Sequence, residues 1–207
     1  MTILHFRDRL DAAKQLAAKL KELDLEDPLV LGIPRGGVVT AAVLADELHA
    51  ELDVVLARKL RHPAQPELAI GAVSEEGEVH MDRRFPGDVI DQAYVHRERD
   101  RQLAELKHRR ELFRSVRPAA KLAGRSVIVT DDGIATGSTM IAALHVVQKS
   151  GPRDTTLAVP VSAPGSFSRL APMCDHALCL SIPQTFGAIS QYYDHFDQVS
   201  DDEVCDR

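Results

Sequence analysis

The chain has 207 residues, 44% of them apolar, with 25 basic against 31 acidic side chains and a formal charge of −6. That length fits one domain with its own core, so the reading is a single domain over 1–207. The acidic balance argues against a nucleic-acid partner, and no apolar run approaches the ~18 residues a membrane span needs. Cys174, Cys179 and Cys205 are odd in number and lack C-x-x-C spacing, and MTILHFRDRLDAAK carries no apolar signal region. Both features point to reduced thiols in a cytoplasmic protein.

In chain order, residues 10–25 have a helical pattern. Leu16, Leu20 and Leu23 recur at three- and four-residue steps, and Asp8 is placed to cap the start. PLVLGIP, residues 28–34, is a short and almost wholly apolar run. Such runs suit strands buried on both faces, as in parallel sheets. Gly36 and Gly37 break it, and residues 38–48 resume a helical pattern. DVVLA, residues 53–57, predicts a second buried strand. From residue 60 to 86 the pattern loosens into loops and short strands, with AIGAVS and GEVHM as a hairpin turning at Glu75, Glu76 and Gly77. Residues 88–114 read as a long charged helix with a thin apolar stripe of Leu103, Leu106 and Phe113. SVIVT, residues 126–130, is a third buried strand, followed by a helix over 140–149. TTLAVPVSA gives a fourth strand, residues 165–170 a short helix, and HALCLSI a fifth strand. The last segment is irregular and holds Phe186, Tyr192, Tyr193 and Phe196. Alternating strands and helices predict an α/β fold with a mostly parallel sheet, whose ligands sit at the carboxyl ends of its strands.

The sharpest chemistry lies in VIVTDDGIATGSTM. An apolar strand delivers two adjacent carboxylates, Asp131 and Asp132. A turn follows, and Ala135, Thr136, Gly137, Ser138 and Thr139 open a helix. A helix N-terminus offers free N–H groups and a positive dipole end, which suit a phosphate. Gly137 lets backbone approach closely, and the three hydroxyls add donors. Carboxylates only accept hydrogen bonds when ionised, so the acidic pair suits a vicinal diol. A phosphate on one side and two hydroxyls on the other describe a ribose 5-phosphate. The plainer alternative is an Asp-Gly turn before a Ser/Thr-capped helix. In LVLGIPRGG, Pro34, Arg35, Gly36 and Gly37 bring a guanidinium fork and unobstructed N–H groups, or simply a tight strand-to-helix turn. This loop is not a Walker A motif, because Val38 and Val39 stand where Lys and Ser/Thr belong.

These segments resemble type I phosphoribosyltransferases, and the resemblance covers residues 6–204. It is nearest to a subgroup of stand-alone or hydrolase-fused phosphoribosyltransferase domains. The resemblance implies a central, mostly parallel sheet flanked by helices, a flexible flap over about 61–84, and a hood from about 183–207 with the N-terminal segment. Asp131 and Asp132 would engage the ribose hydroxyls of phosphoribosyl diphosphate (PRPP), and residues 135–139 would cradle its 5-phosphate. Pro34, Arg35, Gly36 and Gly37 resemble the family's pyrophosphate loop. Arg58 and Lys59 match a basic pair that several members carry after the second core strand.

The implied reaction transfers ribose 5-phosphate from PRPP to a nitrogen nucleophile and releases pyrophosphate. Arg35 and Lys59 would stabilise the leaving group. Mg²⁺ would be held mainly through PRPP, with Asp131 and Asp132 as candidate ligands. Glu67 is a candidate base toward the acceptor, or a surface carboxylate. Phe186, Tyr192 and Tyr193 are candidates to stack on an acceptor base, or they pack the hood. In 6-oxopurine enzymes of the family an acidic residue precedes the Thr-Gly of the phosphate loop. Here that residue is Ala135, closer to the adenine pattern, and the acceptor is left open. The expected partners are PRPP, a small-molecule acceptor and a second copy in a homodimer. The competing reading is a non-catalytic PRPP- or nucleotide-binding regulator of the same fold. The basic stretch of Arg97, Arg99, Arg101, Lys107, Arg109 and Arg110 is interleaved with acids and reads as a salted surface helix or a dimer contact.

Overall fold

The computed structural model describes residues 4–81 and 90–207, with the side chains of Glu67 and Leu68 also outside that description. The predicted flap therefore lies partly outside the described residues. Five parallel strands form the central sheet: β1 (Leu29–Gly32), β2 (Glu51–Val54), β6 (Ser126–Thr130), β7 (Asp154–Val161) and β8 (His176–Ser181), in the order β2-β1-β6-β7-β8. Strand alternation assigns the two faces. Val30, Ile128 and Ala158 point to one side, against α1 (Arg9–Leu20) and α2 (Gly36–Leu48). Leu29, Leu31, Val127, Val129 and Leu157 point to the other, against α4 (Ser138–Lys149). All five residues of β6 are buried, and burying each aliphatic side chain there contributes about 1.5–3 kcal/mol. The acidic pair therefore hangs from a fully buried strand at the centre of the sheet.

The order also fixes the site. From β1 the chain crosses to β2 on one side, and from β6 it crosses to β7 and β8 on the other. The strands β1 and β6 are neighbours, in register from Leu29↔Val127 to Gly32↔Thr130. Their following helices, α2 and α4, lie on opposite faces. This is the point where a crevice opens at the carboxyl ends of the strands.

Residues with the loosest sequence pattern form a second, antiparallel sheet of β3 (Ala57–His62), β4 (Gln65–Ser74) and β5 (Val79–Met81). The hairpin expected at residues 75–77 joins β4 to β5, with Gly71 opposite Met81 and Val73 opposite Val79. Ala57 and Ala72 of this sheet pack on Ala142 of α4. Leu60, Ile70 and Val73 pack on Val95 of α3 (Gln92–Val116). The expected strand over 53–57 is thus divided. The core strand β2 ends at Val54, and Ala57 already belongs to the second sheet.

Helix limits differ from the pattern for local reasons. The first helix ends at Leu20 rather than 25: after Lys21 the N–H groups of Glu22 and Leu23 donate to Lys19 O and Leu20 O, a tighter turn that closes the helix. Leu23 and Leu25 still pack on the core from the turn. Helix α3 buries Glu98 and Gln102 beside Val95, Leu106 and Phe113. Apolar periodicity cannot find such polar core positions. The remaining helices are α5 (Pro164–Leu170) and α6 (Asp201–Cys205). Burial pushes the Cys174 and Cys179 thiols up to about 12, so neither is a thiolate nucleophile at neutral pH.

Candidate active site

Two loops meet at the crevice. The first leaves β1 through Ile33, whose N–H donates to Thr130 O at 3.0 Å. It continues through half-buried Pro34 and exposed Arg35 into α2. The second leaves β6 at Asp131 and Asp132 and reaches α4 through residues 133–137. The loops touch through glycine. A Cβ on Gly36 would run into the Asp132 carboxylate, and one on Gly37 would sit 2.9 Å from Asp131 Cα and 3.0 Å from Thr130 O. The first of these is shorter than side chains adopt and the second is tight, so a side chain at Gly37 would push the two loops apart.

The helix N-termini divide into two kinds. Asp8 accepts from Asp11 N–H at the start of α1, Asp91 from Ala93 N–H at α3, and Ser200 from Glu203 N–H at α6. The helices α2 and α4, which open at the crevice, have no side-chain cap, and neither has the short α5, whose first turn begins with Pro164. The first N–H groups of α2 and α4 have no intrahelical acceptor and are available to an anion. Gly137, at φ 75°, turns the chain into α4. On the back of this loop, Ser166 Oγ donates to Ala135 O and Arg169 Nη2 to Thr136 O, both at 2.6 Å. Two carbonyls are thereby tied to α5. Thr136 and Thr139 are exposed, Ala135 is exposed, Ser138 is half-buried and Gly137 is buried.

The acidic pair is heavily engaged. Asp132 is buried, and its Oδ2 accepts from Arg9 Nε at 2.9 Å and forms an ion pair with Arg9 Nη2 at 2.8 Å. Asp131 Oδ1 accepts from the Asp132 N–H at 2.9 Å. Burial, and then the charge of Asp132, push the Asp131 carboxyl well above its ordinary range. Burial also raises Asp132, against the pull of Arg9. Sequence reasoning missed Arg9, Ser166 and Arg169.

Arg58 turns to α3, where it pairs with Glu105 at 3.1 Å. Lys59 is its half-buried neighbour on β3, and alternation puts the two side chains on opposite faces. Glu67 belongs to β4, and its proposed role as a base rests on a side chain outside the described residues. Of the two readings of Tyr192 and Tyr193, stacking on an acceptor base or packing of the hood, their burial favours packing. They are 6% and 5% exposed and belong to a cluster with Phe6, Ala12 and Val161. Tyr193 donates to Asp132 O at 2.6 Å and Tyr192 to Thr185 O at 3.0 Å. Phe186 uses one face to stack on Tyr192 at 5.4 Å. A phenol needs a polar partner when buried, and these two find it in backbone, so the rings hold the C-terminal segment down.

The sheet order and the crevice at its switch point define a doubly wound α/β fold. Residues 2–172 match the family model described as phosphoribosyl transferase domain, and the chain belongs to that family. Two Mycobacterium tuberculosis proteins, each named "Putative phosphoribosyl transferase", are 44% identical over 200 residues, covering 96% of this chain and 45% of their own. The chain thus spans less than half the length of these curated relatives. The crystal structure of TT1426 from Thermus thermophilus matches with a TM-score of 0.95 at 46% identity, covering 98% of this chain and 97% of that one. The APRTase of Giardia lamblia, solved with 9-deazaadenine, matches at 0.50 and 13% identity over 86% of this chain and 80% of that one. At that identity it shows the fold alone. Among the described residues no helix is long and apolar enough to cross a membrane.

Proposed function

We propose that the crevice binds PRPP and that the chain transfers its ribose 5-phosphate to a nitrogenous acceptor, releasing pyrophosphate. The observation that carries this reading is the contact of Gly36 and Gly37 with Asp132 and Asp131. It makes one site of a cationic loop and an acidic loop, each opening an uncapped helix. The 5-phosphate takes the N–H groups and hydroxyls of residues 136–139 at α4. The ribose diol donates to the carboxylates of Asp131 and Asp132. The pyrophosphate lies at the start of α2, with Arg35 and Lys59 as countercharges. As the bond from C1 to pyrophosphate breaks, C1 gains positive character beside the carboxylates, and the departing charge grows beside the cations. Both changes are met by fixed groups, so the chain contributes positioning and electrostatics.

Mg²⁺ fits this donor set. No group of three or more metal-binding side chains occurs among the described residues, but Mg²⁺ is commonly held by one or two carboxylates plus substrate phosphates. Asp131 and Asp132 supply such oxygens. When bound, the ion would neutralise pyrophosphate charge as it leaves.

The test is a thermal-shift titration with PRPP and Mg²⁺, beside the double variant Asp131→Asn, Asp132→Asn. Ligand at about 100 times its Kd adds about 2.7 kcal/mol of stability. The wild type should shift and the folded variant should not. A shift of equal size in both would remove the ribose assignment. Pyrophosphate release against a panel of nucleobases then separates transfer from sensing, since a regulator binds PRPP without turnover.

A further inference from the structure

We infer that Arg9 is a positioning residue for the ribose end of the crevice: it fixes the Asp132 carboxylate so that Oδ1 is the oxygen presented to a ligand hydroxyl. The inference rests on the PRPP reading above and adds a residue to it. Arg9 Nε and Nη2 both converge on Oδ2. Gly36 covers the same oxygen from another side, closely enough that a Cβ there would collide with it. Oδ2 is therefore walled in by a guanidinium and a backbone, and an incoming hydroxyl has Oδ1 to meet.

Arg9 itself is not placed to touch that ligand. Its Nη1 donates to Asp197 O at 2.8 Å, and its Cζ lies 3.9 Å from the centre of the Phe196 ring. Each of its three nitrogens thus faces an oxygen of the protein, two by hydrogen bonds and one by an ion pair. One face of the guanidinium is covered by an aromatic ring, an arrangement that favours a cation. The side chain is 11% exposed. A group so committed acts through Asp132. The fork geometry matters here, because an ammonium would supply charge without the planar pair of donors.

The test compares Arg9→Met and Arg9→Lys with the wild type, using PRPP with Mg²⁺ and, separately, inorganic pyrophosphate as probes. Loss of an orienting partner behind a ligand-binding group typically costs about 10- to 100-fold in affinity. Arg9→Met should weaken PRPP by that order and leave pyrophosphate affinity unchanged, because the cationic loop is intact. Arg9→Lys should recover part of the loss and, if the methionine variant does not fold, carries the comparison alone. Adding Asp132→Asn to Arg9→Met should cost far less than Asp132→Asn costs the wild type, as expected for residues acting as one unit. Equal losses for PRPP and pyrophosphate, or fully additive losses in the double variant, would overturn the assignment. A wild type that binds pyrophosphate but not PRPP would overturn the functional reading and this inference together, before any variant is compared.

Discussion

The two ends of the crevice are built differently. At the acidic end, Asp132 is buried, forked by Arg9 and backed by the Tyr193 hydroxyl on its carbonyl. The adjoining loop is tied at two carbonyls to α5. At the cationic end, Arg35 is exposed and Arg58 is drawn away to Glu105. The acidic end is held by contacts within the protein, whereas Arg35 at the other end lies exposed. Fixed groups recognise with little loss of side-chain freedom, and mobile cations follow charge as it moves.

The largest effect should come from forcing the two ends apart. Gly37→Ala puts a methyl against the backbone of Asp131 and Thr130, which cannot swing away. Overpacking of this kind costs about 1–3 kcal/mol. The measured Tm should fall, and both pyrophosphate and ribose 5-phosphate should bind more weakly. A fully stable variant with normal binding would mean that the loops are not locked together. Arg35→Ala tests the exposed end alone. An exposed side chain contributes within about 0.5 kcal/mol to stability, while a hydrogen bond to a charged group is worth about 1.5–3 kcal/mol. Tm should hold, and pyrophosphate affinity should fall by about tenfold or more, beyond any change for ribose 5-phosphate. Equal losses for the two probes would put Arg35 at the wrong place in the crevice.

The smallest effect is a pH dependence of the ligand-free protein. The Asp131 carboxyl titrates above its ordinary 3.8 in the folded chain. The folded state then keeps a proton that the unfolded state has lost. Stability therefore declines as pH rises from about 3.8 through the folded value, and is restored on acidification. Asp131→Asn removes that penalty. The variant should melt higher than the wild type at pH 7, with the gap closing towards pH 4. A variant that melts lower at both pH values would show that the charged Asp131 stabilises the empty crevice.

Much of this arrangement was legible in the residues. The run Ser126 to Thr130 is the strand the pattern gave, and the glycines and acids that follow mark the two loops. What was hidden lies far away in sequence or runs against type. Arg9 reaches Asp132 across 123 residues, and no local pattern records such a contact. One local signal did exist. A cation in the first turn of a helix opposes the macrodipole by about 0.3–1 kcal/mol, and an arginine so placed needs an acid from elsewhere. Ser166 and Arg169 look like ordinary residues of a short helix until their carbonyl acceptors are seen. The tyrosines carried two readings for a related reason. An aromatic cluster near a hood suggests stacking on a base, but its hydroxyls are satisfied by backbone.

The pairing of the first and last described segments has a consequence for how the chain acquires its crevice. Phe6 bridges Tyr193, and the N–H groups of Asp194 and His195 donate to Phe6 O and Arg7 O, each at 2.9 Å. During synthesis, Arg9 and the carboxylates leave the ribosome well before residues 193–197 do. The sheet order around β1 and β6 can be laid down while the site still lacks its roof. Arg9 finds Phe196 and Asp197 only once residues 193–197 have been made, so the crevice is completed after the strands that flank it.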